Sequence, residues 1–188
     1  MFTHNIKTIL EELNEILLNV SENEINDVMQ AILKADRIFV TGAGRSLLMV
    51  RGFAMRLMQT GFTSYVVGET VTPAICKDDL LIIASGSGET GTLKVIAANA
   101  KKAEASVALI TSNPASTIAK LSDYIIHIQT STPKLDKDTS KKTSVQPGAS
   151  SFEQSVLLLC DTIVFDLGST KSIEERNNNI MRLHANLE

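Results

Sequence analysis

Asp79-Leu80-Leu81-Ile82-Ile83-Ala84-Ser85-Gly86-Ser87-Gly88-Glu89-Thr90 joins two local patterns. Leu80 to Ala84 is an unbroken apolar run, the mark of a strand buried on both faces. It ends abruptly at three hydroxyls interleaved with two glycines, and a helix is predicted from there to about Ala103. A doubly buried strand that turns straight into a helix is half of the strand–helix–strand unit from which parallel sheets are built.

The unit repeats in both directions. Upstream, Arg37-Ile38-Phe39-Val40 runs into Thr41-Gly42-Ala43-Gly44, and a helix is predicted from about Ser46 to Gln59, stopped by Gly61. Thr63–Val67 reads as the next strand. Downstream, Ser106–Ile110 and Asp123–Ile128 are further strands, and Asn113-Pro114 is predicted to open a short helix reaching Lys120. This alternation predicts an α/β fold: a doubly wound, five-stranded parallel sheet with helices on both faces. Helical spacing also marks 6–18 and 21–35, where Ser21 and Glu24 form a capping-box pattern. Thr130 to Gln146 is polar and reads as a long exposed loop of the kind that is often functional. Phe152–Leu167 is an apolar helix, and 171–188 a last helix or tail. With no internal repeat and no linker, a single domain over 1–188 is expected.

Composition narrows the function. The chain has 188 residues, a 44% hydrophobic fraction, only 4% aromatics and no Trp. The core is therefore expected from Ile, Leu, Val, Ala and Met, and there are few rings for stacking bases. Net charge is −3 with no basic stripe, so neither nucleic acid nor an anionic membrane is an expected partner. No apolar run reaches the roughly 20 residues a membrane span needs. The first ten residues lack the features of a secretory leader, and Cys76 and Cys160 lack CxxC spacing. A cytoplasmic protein with two buried thiols is expected. No His/Cys cluster has metal-ligand spacing, so no metal is expected.

In an open parallel sheet, ligands bind beyond the carboxyl ends of the strands. Three segments converge there. Ser85, Ser87 and Thr90 offer three hydroxyls beside free backbone N–H groups and a helix N-terminus, a cradle for one phosphate. No GK[ST] follows, so no nucleoside triphosphate is implied. An ordinary N-cap would need only one hydroxyl. Gly42, Gly44, Arg45 and Ser46 form the second segment. Leu47 stands where a dinucleotide fingerprint would want a third glycine, and Arg45 is placed to face a phosphate or a sugar hydroxyl. The third opens the apolar helix, where Glu153 is either a base over the crevice or half of a capping box with Ser150. Glu89 is assigned a cap or orienting role, its charge favoured by the helix dipole. Arg51 and Arg56 read as helix-surface or subunit-contact charges, and Asp161 as a buried carboxylate seeking a partner. Taken alone, His4, His127 and His184 carry little functional signal.

Together these segments resemble a sugar isomerase (SIS) domain. Thr41-Gly42-Ala43-Gly44-Arg45-Ser46, Phe53-Ala54-Met55-Arg56-Leu57-Met58, Val67-Gly68-Glu69, Ser85 to Thr90, Ser151-Phe152-Glu153-Gln154 and His184-Ala185-Asn186-Leu187-Glu188 resemble the 6-phospho-3-hexuloisomerase family, in its order and over nearly the whole chain. Two departures are the order Gln146-Pro147-Gly148-Ala149-Ser150, where Met-Gly would follow the proline, and Arg51 in place of a common lysine. The resemblance implies interconversion of D-arabino-3-hexulose 6-phosphate and D-fructose 6-phosphate without a cofactor, in a homotetramer that works beside 3-hexulose-6-phosphate synthase in formaldehyde fixation. It assigns Glu153 and His184 to catalysis, with His184 supplied by a neighbouring subunit. Gly44, Arg45, Ser46, Glu69, Ser85, Ser87 and Thr90 are assigned to the substrate. A phosphosugar-sensing SIS module, or an isomerase for another sugar phosphate, are the alternatives; the N-terminal 35 residues hold no basic recognition helix for a sensor.

Overall fold

The structure, a computed structural model, describes residues 1–130, 144–169 and 172–187. Most of the polar loop expected over 130–146 therefore lies outside the described residues. Helices α1 (Phe2–Leu18) and α2 (Glu22–Lys34) lead into strand β1 (Ile38–Gly42), helix α3 (Arg45–Gln59) and strand β2 (Ser64–Val66). Strand β3 (Leu80–Ala84), helix α4 (Gly91–Lys102), strand β4 (Ser106–Thr111) and strand β5 (Tyr124–His127) follow, then helices α5 (Ser150–Leu167) and α6 (Ile173–Arg182).

All five strands pair in parallel in the order β2-β1-β3-β4-β5. Side chains alternate across a strand, so each strand feeds both faces. Ile38, Val40, Leu80, Ile82, Ala84, Ala108 and Ile110 pack with α2, α3 and α5 on one side. Phe39, Leu81, Ile83, Val107 and Leu109 pack with α4 on the other. Strand order reverses between β1 and β3, and in such sheets the crevice beyond that point is where ligands sit. The loops after β1 and β3 flank it.

Several sequence expectations are corrected. The core contains three fully buried phenylalanines, Phe39, Phe53 and Phe152, and no buried methionine. Rigid rings fill the wide helix–sheet gaps that aliphatic side chains alone would leave. Between Asn113 and Lys120 there are turns and one short 3₁₀ turn, Ala119–Leu121, rather than a helix. The Thr117 and Ile118 N–H groups go instead to the loop after β3, as described below. Cys160 is buried but Cys76 is exposed. Asp161 is exposed on α5 and needs no buried partner. Ser21 does cap α2, accepting from Glu24 N, but the Glu24 carboxylate accepts the backbone N–H of His127 at 2.8 Å, stapling α2 to β5. Among the described residues no helix is long and apolar enough to cross a membrane.

Candidate active site

A cleft of about 340 Å³ opens at the switch point. Ala43 and Ser46 after β1, Ser85, Gly86, Ser87 and Thr90 after β3, and Gly148, Ala149 and Glu153 at the start of α5 line it. A cleft of that size accommodates a small ligand such as a hexose phosphate.

The Ser85–Thr90 loop is closed by its own atoms. Ser85 Oγ and O both accept the N–H of Gly88, at 3.2 and 3.1 Å, and Ser87 Oγ accepts the N–H of Glu89 at 3.2 Å. Both serines spend a lone pair on the loop and keep an O–H to donate. Neither caps α4: its N-cap is Thr90, whose side chain makes no capping bond. The first N–H groups of that helix lack intrahelical partners and favour an anion in front of them. Gly88 has φ +63°, and a Cβ there would collide with Ser116. Only glycine lets the loop fold this tightly.

Glu89 supports the turn, as expected, but by a different means. It lies before the N-cap, and its carboxylate accepts the backbone N–H of Thr117 at 2.6 Å and its Oγ1–H at 2.9 Å. Those two bonds hold its pKa below the ordinary carboxylate value, with Lys94 at 3.4 Å adding to the effect.

Across the cleft, α5 begins at N-cap Ala149 without a side-chain cap. Ser150 is already inside the helix, so the Ser150–Glu153 capping box does not form, and the Glu153 N–H bonds to Ala149 O. The Glu153 carboxylate is left for the cleft, where Arg45 Nε lies 2.6 Å from its Oε2. Gly44 makes that approach possible: as the N-cap of α3 it takes φ +58° and ψ −133°, a conformation open to glycine. Arginine has five N–H donors, so one can hold Glu153 while others meet an anion.

The remaining assigned residues lie elsewhere. Glu69 follows β2, exposed, 3.6 Å from Arg51. Arg56 donates to Gln59 on α3 at 2.9 Å. His184 is exposed beyond α6, its ring bonded to Ala185 O at 3.2 Å, and it does not line the cleft of its own chain. Gly148 and Ala149, the start of the third segment read from the sequence, line the cleft beside Glu153.

Known proteins resemble this chain over nearly its whole length. The model of the SIS domain matches residues 31–158. The chain is 42% identical to 3-hexulose-6-phosphate isomerase of Bacillus subtilis (strain 168), over 99% of this chain and 98% of that one. It is 37% identical to the enzyme of that name from Mycobacterium gastri, over 99% and 91%. A Methanococcus jannaschii protein of known structure, for which a molecular function of 3-hexulose-6-phosphate isomerase was inferred, superimposes with a TM-score of 0.83. It is 31% identical, with 98% of this chain and 99% of that one covered. The chain belongs to the SIS domain family.

Proposed function

We propose that this chain is a 3-hexulose-6-phosphate isomerase, converting D-arabino-3-hexulose 6-phosphate to D-fructose 6-phosphate. The observation that carries the reading is one cleft with a hydroxyl-rich anion cradle on one wall and the Glu153 carboxylate on the other. Ser85, Ser87 and Thr90 take the phosphate, with Gly44, Arg45 and Ser46 beside it. Glu69, exposed beside Arg51 and outside the cleft lining, is assigned to the substrate by resemblance alone.

Moving a carbonyl from C3 to C2 needs a proton removed from C2 and one delivered to C3. A single carboxylate does both through a cis-enediol. Glu153 takes the C2 proton as the C2–H electron pair forms the C2=C3 double bond and O3 is protonated. O2 then loses its proton as the carbonyl re-forms at C2, and C3 takes the proton back from Glu153. A histidine suits the transfer between O2 and O3 near neutral pH, and His184 of a neighbouring subunit is assigned that role. Phosphate on O6 blocks ring closure from C3 through O6, so ring opening demands little. A homotetramer with sites at its interfaces, a single domain over the whole chain, a cytoplasmic location and 3-hexulose-6-phosphate synthase as the enzyme supplying the substrate complete the proposal.

Glu153→Gln tests it. Loss of the base is expected to lower kcat by roughly 10²–10⁴-fold, with fructose 6-phosphate still bound. Full isomerisation by Glu153→Gln, with His184→Ala alone abolishing it, overturns the assignment.

A further inference from the structure

Backbone carbonyls repel an anion, so a phosphate cradle works only if its carbonyls are turned away and satisfied elsewhere. The loop after β3 meets that demand one carbonyl at a time. Ser85 O accepts Gly88 N at 3.1 Å within the loop. Gly86 O accepts Ser112 N at 3.0 Å and Thr111 Oγ1 at 3.1 Å. Ser87 O accepts Asn113 Nδ2 at 3.2 Å, and Gly88 O accepts Ile118 N at 3.2 Å. Three of these four carbonyls are held by the segment that follows β4. The same segment grips the loop a second time, through the two bonds from Thr117 to Glu89.

Asn113 and Thr117 do not line the cleft. Asn113 is itself fixed: its N–H donates to Thr111 Oγ1 at 3.0 Å and its Oδ1 accepts Ala115 N at 3.3 Å. Its amide is therefore aimed before it reaches Ser87. Thr117 offers Glu89 a matched pair of donors, one from backbone and one from side chain, so the carboxylate has one preferred seat.

We propose that Asn113 and Thr117 are positioning residues for the phosphate. They act through Ser87 and Glu89, holding the loop with its carbonyls outward and its N–H and O–H groups toward the ligand. The proposal rests on the reading of Ser85–Thr90 as the phosphate cradle. Two backbone N–H groups of the 113–120 segment, those of Thr117 and Ile118, and the Asn113 amide are committed to the loop rather than to a helix of their own.

The test uses the full chain with Asn113→Ala, Thr117→Val and Thr117→Ser. The readouts are calorimetric affinity for inorganic phosphate and fructose 6-phosphate, kcat, KM and melting temperature. Asn113→Ala and Thr117→Val are each expected to weaken phosphate binding and raise KM by about 3- to 10-fold, the size of one hydrogen bond, with kcat within about twofold. Thr117→Ser, which keeps the hydroxyl donor, is expected to restore parental KM. If both disruptive variants bind phosphate as the parent does, the brace is refuted. It is equally refuted if kcat, KM and melting temperature worsen together and serine brings no rescue, since the role is then general folding. A parent protein that binds neither phosphate nor fructose 6-phosphate overturns the cradle and the brace together. A parent that binds both, beside variants that match it, overturns the brace alone.

Discussion

Gly88→Ala puts a methyl group where the loop has no room. Two costs add. At φ +63° an L-residue with a Cβ is in the left-handed region, at about 1–2 kcal/mol. The new Cβ also falls inside van der Waals contact of Ser116 Cβ and Oγ, with Thr111 Oγ1 3.5 Å away. Ser116 is buried and its Oγ accepts the Ala119 N–H at 3.2 Å, so it cannot swing aside freely. Overpacking of that kind costs about 1–3 kcal/mol. The sum, about 2–5 kcal/mol, corresponds to a melting temperature lower by roughly 4–20 °C in a domain of this size. Calorimetry on Gly88→Ala, Ser116→Gly and the double variant separates the two costs. Ser116→Gly removes the obstacle, so the double variant is expected to be more stable than the two single effects sum to, by about 1–3 kcal/mol. The backbone cost remains in both alanine variants. Phosphate affinity is expected to fall in Gly88→Ala, because Gly88 N and O are both bonded within the cradle and its brace. A Gly88→Ala protein melting within about 1 °C of the parent, with parental phosphate affinity, refutes the close fit of the loop on Ser116.

Further expectations follow from individual contacts. Arg45→Ala removes the partner 2.6 Å from Glu153; kcat/KM is expected to fall by about 10–100-fold, the scale of one charge-assisted bond, with partial rescue by added guanidinium, and an unchanged value contradicts the placement of Arg45. Mixing inactive Glu153→Gln and His184→Ala proteins under conditions of subunit exchange is expected to restore activity, because each supplies what the other lacks; no restoration contradicts a histidine from a neighbouring subunit. The lowered pKa of Glu89 stabilises the folded chain above the ordinary carboxylate pKa, and that contribution is lost as pH falls through the lowered value. The melting-temperature gap between parent and Glu89→Gln is therefore expected at pH 7 and expected to close on acidification; a gap that widens contradicts it. Burial pushes the Cys160 thiol pKa far up while Cys76 is exposed, so a thiol reagent is expected to titrate one cysteine in the native protein and two in denaturant, and two rapid native titrations contradict the burial of Cys160.

The sheet was legible because each strand is written as a continuous apolar run, the form that burial on both faces imposes. The two glycine turns were legible because tight strand–helix turns leave few residue choices. What escaped depends on where distant segments meet. Ser150-x-x-Glu153 matches a capping box locally, yet α5 starts one residue earlier and releases Glu153 to meet Arg45, a residue more than a hundred positions away. The stretch after Asn113-Pro114 has a helical beginning, but the Thr117 and Ile118 N–H groups bond to the loop after β3 instead of to a helix of their own. The position of Glu89 before a helix suggests the dipole as the source of its charge, whereas the two bonds from Thr117, 28 residues on, chiefly lower its pKa. His184 and Glu69 rest on resemblance, since nothing in their local pattern points to the cleft.

The most direct measurement is turnover. Purified protein incubated with 3-hexulose-6-phosphate synthase, ribulose 5-phosphate and formaldehyde is expected to yield fructose 6-phosphate, and the Glu153→Gln protein to yield almost none. Failure of the parent protein to form fructose 6-phosphate, with sugar-phosphate binding intact, contradicts the isomerase and leaves a phosphosugar-binding module.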